Sequence, residues 1–196
     1  MAVLENRNPD RDDLLSRRLV AALYPLLILA VLPTVAAWAA TFKPVQVKAA
    51  FIYSLTNFVH WPLKAAKEVD LPFVIAVLSD EEMARNLEII TRGDRIQGRK
   101  IVVRSYDTVD EIAYCRVLFI GAAAKTPIRD ILKRFHSKNI LIIGDTDHFT
   151  HQGGMVGLVQ RGKRIHIEVN LEMATGAGIR FDSKLLKVAD IVHAGN

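Results

Sequence analysis

Three short apolar runs, each of strand length, constrain this chain more than any other feature. Residues 71–78 read Leu-Pro-Phe-Val-Ile-Ala-Val-Leu, 116–120 read Arg-Val-Leu-Phe-Ile, and 140–143 read Ile-Leu-Ile-Ile. A strand apolar at consecutive rather than alternate positions must be covered on both faces. The segments between them carry helix signals. Ser79-Asp80 caps a predicted helix over 81–90 with Glu81 and Glu82 in its first turn, and Gly93 closes it. Thr126-Pro127 opens another that runs to about His136. A further strand over 101–106 follows the turn Gln97-Gly98, and 107–112 reads as a short turn or helix. Strands and helices in alternation predict a mostly parallel α/β sheet.

The ends of this pattern differ from its middle. Residues 45–61 read as an amphipathic helix, with Val47, Ala50, Phe51, Ser54, Leu55 and Phe58 on one face, Lys48 off it, and Pro62 as its stop. Near the other end, Arg161-Gly162-Lys163 joins strands 155–160 and 164–169 in a hairpin. In its second arm Ile165, Ile167 and Val169 alternate with His166 and Glu168, which predicts a water-facing side for the latter pair. Asn170 caps a helix ending at Gly176 or Gly178. A short strand over 179–181 and a closing helix over 183–191 complete the domain. The expected fold is one compact α/β domain: a mixed, mostly parallel sheet flanked by helices, with a C-terminal β-hairpin.

The N-terminus says where that domain works. Arg17-Arg18 precedes an uncharged run over 19–42 that contains the small-residue step Ala37-Trp38-Ala39-Ala40, the layout of an export signal. The run is also long enough to cross a ~30 Å hydrocarbon core, so cleavage and retention as an anchor are the two alternatives. Residues 1–39 are read as this signal or anchor segment and 40–196 as the domain, placed in the periplasm. Cytosolic roles such as transcription factor or NAD(P)-linked metabolic enzyme are thereby excluded. The leader's arginines and acidic residues cancel, so the +5 net charge belongs to the domain. No basic block is present, and nucleic acid is not an expected partner. Cys115 is the single cysteine; it reads as a small core hydrophobe and has no mate within the chain.

Chemistry-bearing motifs are sparse. Asp145, Asp147, His148 and His151 have metal-ligand chemistry, but they follow a strand and Gly144 as turn residues do. Gly153-Gly154 and Gly176-Ala177-Gly178 do not form the strand-to-helix phosphate cradle. G-x-S-x-G and H-E-x-x-H are missing, and Ser54, Ser79 and Ser183 occupy helix or cap positions. The expectation is a protein without catalytic residues, metal or cofactor. His60-Trp61-Pro62 is the stretch of most interest: the pair either lines a pocket or contact surface, or Trp61 packs on the sheet with His60 in water. Arg180, Phe181 and Asp182 read either as a contact ridge or as an edge strand with a helix cap.

Several segments together resemble the YfiR-like family of periplasmic regulators. They are Val47-Lys48-Ala49-Ala50-Phe51-Ile52-Tyr53 with Phe58 and Trp61-Pro62, Val74-Ile75-Ala76-Val77-Leu78, Gln97-Gly98-Arg99-Lys100-Ile101, Cys115-Arg-Val-Leu-Phe-Ile, Gly144-Asp145, Phe149, Gly153-Gly154-Met155, Glu168-Val-Asn170-Leu171 and Ser183-Lys-Leu-Leu-Lys-Val-Ala189. The resemblance implies a compact α/β protein that inhibits an inner-membrane signalling protein, a diguanylate cyclase or a sensor kinase, by binding its periplasmic domain. It also implies an outer-membrane lipoprotein or receptor as a further partner, and a homodimer. The redox control by disulfide known in some members does not carry over, because Cys115 stands alone. His60, Trp61, Arg180, Phe181 and Asp182 are the residues expected to meet a partner or ligand; the alternative function is a small-molecule-binding sensor with a pocket near His60 and Asp182.

Overall fold

The computed structural model describes residues 43–61, 71–135 and 139–193. The leader, Pro62 and His136 lie outside the described residues. Five helices and ten strands are described, in the order α1 (Pro44–Asn57), β1 (Val59–His60), β2 (Phe73–Leu78), α2 (Glu81–Thr91), β3 (Arg95–Ile96), β4 (Arg99–Tyr106), β5 (Val117–Ile120), α3 (Ile128–Phe135), β6 (Leu141–Gly144), β7 (Val156–Arg161), β8 (Arg164–Asn170), α4 (Leu171–Gly176), β9 (Arg180–Phe181), α5 (Ser183–Leu186) and β10 (Asp190–Val192). A 3₁₀ turn, Val109–Glu111, joins β4 to β5.

Eight strands form one sheet in the order β10-β8-β7-β6-β5-β2-β4-β3, and β1 pairs separately with β9. The pairings β10–β8, β7–β6, β6–β5, β5–β2 and β2–β4 are parallel. The hairpins β7–β8 and β3–β4 are antiparallel. The mixed, mostly parallel sheet with a late hairpin is the fold expected from the sequence. Its three apolar runs are β2, β5 and β6, in which every residue is buried. From β2 the chain moves to β4 on one side, then to β5 and β6 on the other. Right-handed crossovers taken in opposite directions put α2 and α3 on opposite faces. The cap of α2 is as predicted: Asp80 Oδ1 accepts the Met83 amide at 2.9 Å.

Four local expectations are corrected. The helix over 45–61 stops at Asn57, and Val59–His60 turns into β1, because its backbone finds β9. The buried side of α1 is Ala49, Ile52, Leu55 and Thr56 rather than the predicted stripe, of which only Leu55 is fully buried. Lys48 goes inward with that side, where its Nζ meets Asp145 Oδ2 at 2.7 Å, each side chain 13% exposed. Glu168 does not face water. It is 6% exposed, accepting from Thr150 Oγ1 at 2.8 Å and Arg161 Nη2 at 2.7 Å. The closing helix ends at Leu186, and Asp190–Val192 becomes β10, in parallel register with β8 (Asp190↔Glu168, Ile191↔Val169, Val192↔Asn170). The outer edge of β8 offers unpaired backbone groups to a β-branched stretch, and a ladder satisfies both.

Candidate functional site

In open sheets of this winding, ligands gather where the strand order reverses, here beyond β2 and β5. That point is filled by the chain itself. The Gly121 amide donates to Leu78 O at 2.9 Å, and a Cβ on Gly121 would lie 2.8 Å from Asp80 Cβ and 3.0 Å from Leu78 O. The loop after β6 is packed in the same way. Phe149 is fully buried, its ring held between Gly144 and Gly154, where added Cβ atoms would fall 2.5 and 2.1 Å from ring carbons. The glycine pair therefore serves Phe149 rather than a phosphate. His148 and His151 stack edge-on with centroids 5.7 Å apart, while Asp145 turns inward to Lys48. Among the described residues no group of three His, Cys, Asp or Glu side chains is placed to hold a metal ion.

The five residues singled out from the sequence meet in the β1–β9 ribbon. Val59 pairs with Phe181 and His60 with Arg180, and the Asp182 amide closes the ladder on Phe58 O at 2.8 Å. Strand alternation then sorts the side chains. Val59, Trp61 and Phe181 point into the core, at 6%, 9% and 9% exposure, while His60 and Arg180 are exposed side by side. Trp61 packs edge-on to Phe73, with centroids 5.5 Å apart at 78°. Its Nε1 has no acceptor among the described residues. The Arg99 guanidinium lies 5.9 Å from the Phe73 ring centre and fastens Leu71 O, Pro72 O and the Tyr114 hydroxyl. Asp182 has two tasks: Oδ1 accepts the Lys184 amide to cap α5, and Oδ2 stands 3.9 Å from His60 Nε2. The ribbon thus presents an imidazole, a guanidinium and a carboxylate outward from an aromatic base. These groups have the chemistry of a polar contact surface.

Sequence reasoning missed two further features. Arg161 reaches Glu168 Oε1 at 2.7 Å and Asp190 Oδ2 at 3.0 Å, and His166 Nδ1 lies 3.4 Å from the same Asp190 oxygen. Nothing in spacing shows this cluster, because it depends on β10 being a strand. Tyr53 donates to Asp94 Oδ2 at 2.7 Å; that hydrogen bond, followed by burial and the carboxylate's charge, raises the phenol above its ordinary 10.0. Grooves on the described surface include three between helices, and neither His60 nor Asp182 lines these three. One lies between α1 and α2 (Val47, Ala50, Ile89, Ile90), one between α1 and α5 (Phe51, Phe58, Leu185, Val188), and one between α3 and α4.

Comparison with known proteins gives a family and a fold. A family profile described as YfiR/HmsC-like matches residues 45–190. No curated protein sequence matches. Among solved structures, the ABC domain in complex with L-Trp from Streptococcus pneumonia superposes with a TM-score of 0.51 at 13% identity, over 76% of this chain and 60% of that one. A conserved domain protein from Vibrio cholerae O1 biovar El Tor gives 0.52 at 13% identity, with the same coverage. At that identity the likeness is one of α/β fold, and this chain spans about 60% of the length of those two proteins.

Proposed function

Because this chain belongs to the YfiR/HmsC-like family, we propose that it is a periplasmic regulator of cyclic-di-GMP signalling. It inhibits an inner-membrane signalling protein, a diguanylate cyclase or a sensor kinase, by binding that protein's periplasmic domain. It does so as a homodimer, without catalysis, and an outer-membrane lipoprotein or receptor relieves the inhibition. The observation that carries this reading is the family match across nearly the whole described domain. Membership supports the regulatory role, and the ribbon supports binding as its means. The proposed contact is the set His60, Trp61, Arg180, Phe181 and Asp182, in which Trp61 and Phe181 form the packed base and His60, Arg180 and Asp182 meet the partner.

Inhibition of this kind needs no active site. A protein that binds the inactive state of a receptor better than the active one shifts the equilibrium by that difference in affinity. Taking a partner from half active to about 1% active requires roughly 2.7 kcal/mol of preference. One or two arginine-centred anchors supply that much.

Arg180→Glu tests the contact. Arg180 is exposed and makes no ion pair among the described residues, so the variant is expected to keep the wild-type melting temperature. Its affinity for the purified periplasmic domain of the inner-membrane signalling enzyme captured with this protein from membranes is expected to fall about tenfold or more, equivalent to ~1.4 kcal/mol. Unchanged affinity, measured by titration calorimetry, removes the ribbon from the interface. Absence of binding by the wild-type protein rejects the regulatory reading itself.

A further inference from the structure

The groove between α3 and α4 has a composition that the fold does not require. It measures about 510 Å³ and is lined by Arg129, Leu132, Lys133, His151, Gln152, Gly153 and Met173. Its floor is apolar: Leu132 is 8% exposed and Met173 is half-buried. Gly153, whose φ of +100° demands glycine, sits over that floor, with the site of its missing Cβ 3.6 Å from Leu132 Cδ1 and 3.8 Å from Met173 Cε. The rim is made of donors. Arg129, Lys133, His151 and Gln152 are all exposed, and no carboxylate lines the groove. Arg129 makes no ion pair among the described residues, and Lys133 reaches Asp130 only at 3.9 Å, with its side chain 81% exposed. Two cations one helical turn apart thus flank an apolar strip, Arg129 with no ion pair among the described residues and Lys133 with only a long, exposed one.

We infer that this groove binds an acidic peptide segment of the partner protein, with carboxylates on Arg129 and Lys133 and an apolar side chain over Leu132 and Met173. The inference rests on the regulatory reading above and locates a second part of that partner's footprint. Charge complementarity names the occupant: residues at i and i+4 lie about 5–6 Å apart, a spacing that neighbouring acidic residues of one segment match. Openness of the rim argues for a peptide over a small molecule, since pocket ligands bury about 70–90% of their surface and a compact anion here would stay wet. Methionine adapts its shape to an incoming apolar group, which suits a floor that receives one side chain.

The test compares wild type with the double variant Arg129→Glu, Lys133→Glu, using two probes: the purified periplasmic domain of the signalling enzyme captured with this protein from membranes, and a fluorescein-labelled peptide of alternating Glu and Leu. A Lys and Leu peptide serves as control. Both substitutions are on the exposed face of α3, so folding is expected to persist, as circular dichroism would show. The double variant is expected to lose about tenfold or more in affinity for the domain, with a flatter salt dependence. The acidic peptide is expected to compete with the domain for wild type, and the basic peptide not to. If the domain binds both proteins equally, this inference falls and the regulatory reading stands. If the domain binds neither protein, the regulatory reading falls; peptide binding that the double variant loses then still supports the groove, and absent peptide binding overturns it. Dissociation of a wild-type homodimer by the double variant would make the occupant a second copy and overturn the inference as well.

Discussion

Phe149 shows how a single side chain dictates its neighbours. Its ring occupies the space that Cβ atoms on Gly144 and Gly154 would need, so these glycines are fixed by packing and not by a positive φ. Gly154→Ala is expected to destabilise the domain by about 1–3 kcal/mol, the usual cost of forcing atoms into a filled core. Gly176→Ala, where nothing lies within 4 Å of the added carbon, is expected to be within about 1 kcal/mol of wild type. Urea unfolding of the two variants checks the contrast, and equal midpoints would contradict it. At this scale the sequence was legible where the reason is local. Asp80 and Asn170 act as N-caps and Gln97-Gly98 forms the tight turn with positive φ, because each obeys rules written within four residues. Glu168 was not legible. Alternation assigned it to water, and only the distant Thr150 and Arg161 turn it into a buried acceptor.

Between elements, the clearest device is Arg161, which projects from the end of β7 across β8 to Asp190 on β10. Among the described residues β10 has one partner strand, β8, and a side-chain clip holds such an edge against fraying. Arg161→Ala is expected to speed amide hydrogen exchange in β10 several-fold, while β2, buried at the sheet centre, exchanges as before. Uniform acceleration across all strands would mean global destabilisation instead. Element type was legible wherever the pattern was long or strongly apolar, as in β2, β5, β6 and α2. It failed at 58–61 and 187–192, where apolar, β-branched residues suit helix and strand alike and a remote ladder decides. Those two failures coincide with β1 and β10. His60–Trp61 and Arg180–Phe181–Asp182 were visible as two unusual stretches, but their pairing was not, since nothing local joins them.

Over the whole molecule, Lys48 and Asp145 tie the first helix to the loop that leaves β6, two parts far apart in sequence. Asp145 Oδ1 has no second partner among the described residues, so its charge depends on the lysine. Lys48→Met is expected to cost on the order of 2–3 kcal/mol, because a buried carboxylate is left uncompensated, whereas Lys48→Met combined with Asp145→Leu recovers most of the loss. A double-mutant cycle by urea unfolding measures the difference. The sheet's overall plan was legible because a parallel core needs doubly apolar strands; its fastenings were not, because each links residues that spacing does not relate. The β1–β9 ribbon carries one last consequence. A two-residue strand at the start of the domain has no mate until position 181 has been synthesised, and β8 lacks its outer neighbour until position 190. A polypeptide emerging from its N-terminus therefore keeps both ribbon and sheet edge unfinished until these late segments have appeared, so the domain locks shut as a whole and not piece by piece.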